Sequence, residues 1–202
     1  MTDNTKTEIL NIAERLFFTK GYENTSIASI LKEANIARGT LYYYFVSKED
    51  LLDQIIDRQG QKVMSEARKI ALDKSIAPEK RLILSLVAMQ QEGHMEDDDL
   101  DLVHEPHNDL LHQKINNYIV QNATPFLCQI VEDGIETGVF NTHFPKESVE
   151  MILIYVNNAF DHLDESNPEA IKNKIGALID NIHRIFGARE GSLDFSLVFG
   201  GQ

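Results

Sequence analysis

The chain has 202 residues, 43% of them hydrophobic, with a single cysteine and a formal charge of −13. A chain of this length buries roughly 70% of its unfolded surface, so it needs neither a disulfide framework nor a structural metal to fold. No apolar run approaches the roughly 18 residues of a membrane span and no charged-then-apolar leader opens the chain; with the lone Cys128 this sets the expectation of a protein in the reducing cytoplasm that makes no membrane contact.

The acid is unevenly spread. Residues 1–50 hold six Lys and Arg against seven Asp and Glu, which is −1 of the total, so the other 152 residues carry the remaining −12. An acidic body repels nucleic acid and keeps non-specific affinity low, leaving DNA contact to a few well-placed groups. Plain solubility explains much of the same pattern.

In chain order, Thr5 to Lys20 reads as an opening helix that buries Ile9, Leu10, Ile12, Ala13, Leu16 and Phe17 and stops at Gly21. A second helix follows from a Thr25 or Ser26 hydroxyl cap, with Ile27, Ile30, Leu31 and Ala34 at helical spacing. Asn35-Ile36-Ala37 breaks the run, and Ile36 should drop back between the helices. Arg38 to Phe45 is then a helix of about two turns, too short to persist without tertiary packing. At 100° per residue, Leu41 and Phe45 share its inner face, while Gly39, Thr40 and Tyr43 point away. Three consecutive tyrosines cannot all be core, so Tyr42 to Tyr44 must put at least one ring outside. Gly39 costs roughly 0.5–1 kcal/mol against Ala, which makes sense where another backbone approaches closely. Ser47-Lys48-Glu49-Asp50 is a capping-box-like start for the next helix, and its cation suits a phosphate docked at that helix end.

The run Ile36-Ala37-Arg38-Gly39-Thr40-Leu41-Tyr42-Tyr43-Tyr44-Phe45, with Ile12-Ala13, Leu16-Phe17, Gly21-Tyr22, Thr25-Ser26-Ile27, Ile30 and Ala34 before it and Lys48-Glu49 and Leu51 after it, resembles the N-terminal signature of the TetR/AcrR transcriptional regulators. The resemblance covers Ile9 to Ile56, and beyond it only length and helical character agree. It implies a three-helix helix-turn-helix domain in which Thr25, with Ser26 beside it, Tyr42 and Lys48 meet phosphates while Arg38, Gly39, Thr40 and Tyr43 approach bases. Two positions depart from the pattern. Ala37 stands where Ser or Thr is common, removing a cap worth about 1 kcal/mol. Tyr44 replaces a frequent His and is open to either base or phosphate contact.

From Ser47 a long helix should run to about Leu72, with Gly60 as its bend, reaching roughly 37 Å. Pro78 opens the next helix, carrying Leu82, Ile83, Leu86, Val87 and Met89. Glu92 to Asn108 loses clear period and gathers acids and histidines. Helical pattern resumes at Leu110, and Asn117 to Thr137 is expected to be interrupted by Pro125 and ended by Gly138. Pro145 to about Asp164 and a helix capped by Asn167, with Pro168 in its first turn, to about Phe186 close an all-α chain. The last two helices could form half of a four-helix homodimer seam through Val149, Ile152, Val156 and Phe160 on one and Ile175, Leu178 and Ile182 on the other, as the resemblance also implies. The domain expectation is residues 1–46 for the helix-turn-helix and 47–202 for effector binding and dimerisation.

His94, His104, His107 and His112, among seven acids, could suit Zn, Ni, Fe or Mn. Their spacing matches no zinc-protease or finger pattern, and an acidic loop is ordinarily a solvated face, so no metal or other cofactor is assigned. No nucleophile-elbow, P-loop or dinucleotide motif supports an enzyme. The reading is a ligand-responsive DNA-binding regulator, a repressor, that sits on a palindromic operator in double-stranded DNA as a homodimer and is released by a small molecule. Met89, Met95, Tyr118, Phe126 and Tyr155 are the expected pocket lining, with His104 and His107 as polar contacts. The alternatives are a metal-responsive regulator or metal-dependent enzyme built on the histidines, or a scaffold that has lost DNA reading.

Overall fold

The structure, a computed structural model, describes residues 2–92, 109–159, 167–189 and 191–193. Among these the only regular element is the α-helix: α1 Thr2–Lys20, α2 Ile27–Ala34, α3 Arg38–Tyr44, α4 Lys48–Leu72, α5 Pro78–Glu92, α6 Asp109–Glu136, α7 Pro145–Ala159 and α8 Pro168–Phe186. Two compact units divide the chain, Met1–Gln61 with His94–Tyr118, and Lys62–Gly93 with Ile119–Gln202. The division falls at Gln61 rather than after residue 46 because Leu51, Leu52, Ile55 and Ile56 of α4 belong to the core of the first unit.

In that core Ile9, Ala13, Leu16 and Phe17 of α1 meet Ile30 of α2, and Leu41 and Phe45 at α3. The helix ends are set locally. Gly21 takes a φ of 85° after α1, and the Ser26 hydroxyl accepts from the Ser29 amide at 3.1 Å to open α2. Asn35 ends α2 at φ 51°, its amide and that of Ile36 returning to the Lys32 and Leu31 carbonyls, and Ile36 packs against the core as expected. Ser47 accepts from the Asp50 amide at 3.0 Å while Asp50 accepts from Val46 at 2.8 Å, so two free amides at the start of α4 are satisfied.

The first unit also takes in the start of α6. Leu111 is fully buried in its core, Leu110, Ile115 and Tyr118 pack against it, and Lys114 pairs with Asp53 at 2.7 Å and Glu49 at 2.9 Å. Gly60 proves not to be a break: α4 is continuous, and a Cβ there would lie 2.0 Å from the Tyr118 ring. The glycine makes room for that ring.

In the second unit α6 runs unbroken through Pro125. A proline inside a helix costs about 3 kcal/mol. Burial of Phe126, Leu127, Ile130 and Val131 around it, at about 1.5–3 kcal/mol per side chain, outweighs that penalty. Arg81 of α5 is 1% exposed; it donates to the Ala71 carbonyl in the last turn of α4 and to the carboxylate of Asp133 in α6. One turn on, the Ser85 hydroxyl donates to Ala67. The Asn167 cap on α8 is present, accepting from Ala170 at 3.1 Å, and Gly187 closes that helix at φ 59°.

Candidate nucleic-acid interface

Leu41 and Phe45 anchor α3 with no exposed surface, and this fixes what the opposite face shows. Tyr43 is 75% exposed and Tyr42 40%, Arg38 and Gly39 are exposed, and Thr40 is half-buried. The space where a Gly39 Cβ would stand is open. Tyr44 is half-buried, packed against the core and edge-on to Tyr43 with ring centroids 4.9 Å apart. It therefore acts as the support on which Tyr43 stands. Arg38 lies over the Tyr42 ring, 5.4 Å from its centroid. Ala37 precedes α3 in extended conformation and offers no cap, as its side chain dictates.

Two expected phosphate contacts are placed differently. Thr25 is 1% exposed, and its hydroxyl donates to the carbonyls of Leu16 and Gly21 at 3.0 and 2.9 Å. This corrects both the expectation that it meets a phosphate and the possibility that it caps α2; its hydroxyl closes the loop between α1 and α2, and the exposed Ser26 does the capping. The Lys48 ammonium donates to the carbonyls of Tyr22 and Thr25 at 2.9 and 3.1 Å and lies 4.0 Å from the Tyr22 ring centroid. Two of its three donors are used within the fold. Burial, with Glu49 nearby, pushes the Tyr22 phenol above its ordinary pKa. Sequence reasoning overlooked Val46, 83% exposed between core Phe45 and capping Ser47. Its position one residue beyond a core anchor was the available signal.

The expected effector residues that are described belong to both units. Tyr118 belongs to the first unit, where its hydroxyl reaches the Asp57 carbonyl at 3.4 Å. Phe126 is buried in the second unit with Arg68 over its ring, Met89 is half-buried, and Tyr155 is largely exposed. Met95, His104, His107 and His94 lie outside the described residues; His112 bonds Asn116 one turn along α6 at 3.2 Å. Among the described residues no three His, Cys, Asp or Glu are grouped to hold a metal. The second unit does contain an apolar cavity of about 20 Å³, about enough for one water molecule, walled by Leu82, Leu86, Leu127, Val149, Ile152, Leu153, Ile182 and Phe186.

The expected seam residues are similarly displaced. Val149, Ile152, Leu178 and Ile182 are buried within the protomer, and Val156 and Ile175 are half-buried; Phe160 lies outside the described residues. The apolar side chains α7 leaves exposed are Met151, Ile154 and Tyr155, at helical spacing.

Residues 9–55 match the family model of bacterial regulatory proteins of the tetR family, and residues 94–180 match a tetracyclin repressor-like C-terminal domain. The HTH-type transcriptional regulator UidR of Escherichia coli K12 is 37% identical over 65 residues, 32% of this chain and only 33% of that protein. The HTH-type regulator YhgD of Bacillus subtilis 168 is 23% identical over 183 residues, 89% of this chain and 95% of that one. The structure of Salmonella enterica GusR shares the fold, with a TM-score of 0.65 at 19% identity over 92% of this chain and 96% of its own. The family models and these relatives are those of transcriptional regulators, not of enzymes. The chain belongs to the TetR family of transcriptional regulators. Among the described residues no helix is long and apolar enough to cross a membrane.

Proposed function

We propose that the protein is a repressor that binds a palindromic operator as a homodimer and is released when a small, mainly apolar molecule enters its second unit. The observation that carries the reading is the outer face of α3, where Arg38, Gly39, Thr40 and Tyr43 stand together on a helix anchored from behind by Leu41 and Phe45. Such a helix fits the major groove, and two copies one helical turn of DNA apart read a palindrome. Ser26 and Lys48 supply phosphate contacts around it. Met151, Ile154 and Tyr155 of α7, with exposed Gly176 and Ala177 of α8, form the dimer face in this reading.

Release follows from α4. One continuous helix supplies Leu51 to Ile56 to the first core and Met64, Ala67 and Ala71 to the second unit. A ligand that widens the apolar cavity would shift α5, which supplies Leu82 and Leu86 to its wall and bonds the Ala71 and Ala67 carbonyls of α4 through Arg81 and Ser85, and a tilt of α4 in each protomer changes the spacing of the two recognition helices. A hundredfold loss of DNA affinity needs about 2.7 kcal/mol of coupling. Linkage makes this reciprocal. Any compound that stabilises the protein in a thermal-shift screen should bind about a hundredfold more weakly in the presence of operator, and equal affinities would exclude that compound as the inducer. Sedimentation should give a dimer at micromolar concentration, converted to monomer by Ile154→Asp; a wild-type monomer would contradict the homodimer.

A further inference from the structure

We infer that Tyr42 is a positioning residue for Arg38, holding its guanidinium ready to read a guanine in the operator. The inference rests on the proposal that α3 enters the major groove. Arg38 is the first residue of α3 and Tyr42 lies one turn along it, with the guanidinium carbon 5.4 Å from the ring centroid. Both side chains are exposed, so the stack stands on the surface rather than in the core. A guanidinium held over a ring face has fewer rotamers open to it, and its planar fork matches the O6 and N7 acceptors of guanine. The N-terminal end of a recognition helix is the part that meets base edges. Beside Arg38, the open space at Gly39 lets the duplex come close. An unsupported arginine would lose its rotamer freedom when DNA arrives; one already stacked has lost part of it beforehand.

The same tyrosine could instead touch a phosphate, and the two roles need different atoms. Stacking requires the ring, whereas a phosphate contact requires the hydroxyl. The experiment uses the full chain and operator duplexes enriched by the wild type from a random pool, each G·C pair then being exchanged for A·T or its guanine for 7-deazaguanine. Arg38→Ala should flatten the preference at one guanine per half-site by about tenfold. Tyr42→Ala should reduce discrimination at that same guanine by at least about threefold, while Tyr42→Phe keeps both affinity and discrimination within about twofold. A uniform loss across all sequences in Tyr42→Phe would make Tyr42 a phosphate anchor and overturn the inference. So would an intact guanine preference in Tyr42→Ala. A wild type that enriches no site would overturn the reading of α3 itself, and the inference with it.

Discussion

Helix α6 carries one ion-paired cluster in each unit, and the two differ in burial. In the first unit Lys114 reaches Asp53 and Glu49, whose side chains are more than half exposed. In the second, Asp133 holds Arg81 inside the protein, with Lys74 at its outer edge at 3.2 Å. An exposed pair is screened and contributes about 0–1 kcal/mol. A buried pair offsets its own desolvation and becomes costly once one member is removed, because the other charge is left stranded. The first unit is thus held mainly by its apolar core. The second is clamped from within: Arg81 ties the last turn of α4 to both α5 and α6.

The largest effect should come from cutting that clamp. Arg81→Ala should lower stability by about 3–5 kcal/mol in denaturant unfolding. The pH dependence tests the same pair. Hydrogen bonding from Arg81 holds the Asp133 carboxyl below the ordinary carboxylate range. A depressed folded pKa gives stabilisation that is fully present above the unfolded value, near 3.9, and lost as pH falls through the folded one. The stability gap between wild type and Asp133→Asn should therefore be constant at neutral pH and close below about pH 4. A gap that persists unchanged in acid would mean the carboxylate charge is not what matters.

A smaller gain is expected in the first unit, where α3 starts from the uncapped Ala37. Ala37→Ser should add about 1 kcal/mol to stability by accepting a first-turn amide, and circular dichroism melts would register it. Smaller still is Lys114→Ala, expected to cost less than about 1 kcal/mol and to lose even that at high salt. A loss as large as that of Arg81→Ala would erase the contrast between the clusters. On the same helix, burial and then the neighbouring Glu132 push the Cys128 thiol up to about 11. At pH 7.5 it should hold about a hundredfold less thiolate than an ordinary cysteine and react correspondingly slowly with a thiol reagent. Fast modification would contradict this placement.

The first four helices were legible because their ends are written in single residues: Gly21, Ser26, Asn35 and Ser47 each perform the local task their chemistry suggests. The recognition face was legible for the same reason, since the positions of Leu41 and Phe45 determine where Tyr43 points. Other features depended on what packs where. Thr25 and Ser26 are equally good caps in sequence, and only the folded loop shows one hydroxyl turned inward. A lysine in a helix's first turn does not announce that it folds over Tyr22. Pro125 reads as a breaker until the burial around it is counted, and Gly60 as a bend until Tyr118 arrives from 58 residues away in sequence. The apolar residues of α7 occupy two faces, and periodicity alone cannot say which is inside; Val149 and Ile152 are, and Met151, Ile154 and Tyr155 are left exposed.

The central claim is that the outer face of α3 reads DNA sequence. Selection from a random duplex pool, run in parallel with wild type and with Thr40→Ala/Tyr43→Ala, tests it most directly. The account predicts a palindromic consensus for the wild type and, for the double variant, loss of preference at specific positions in each half-site, costing roughly 1–3 kcal/mol per lost contact. An unchanged consensus in the double variant, or no consensus from the wild type, would contradict it.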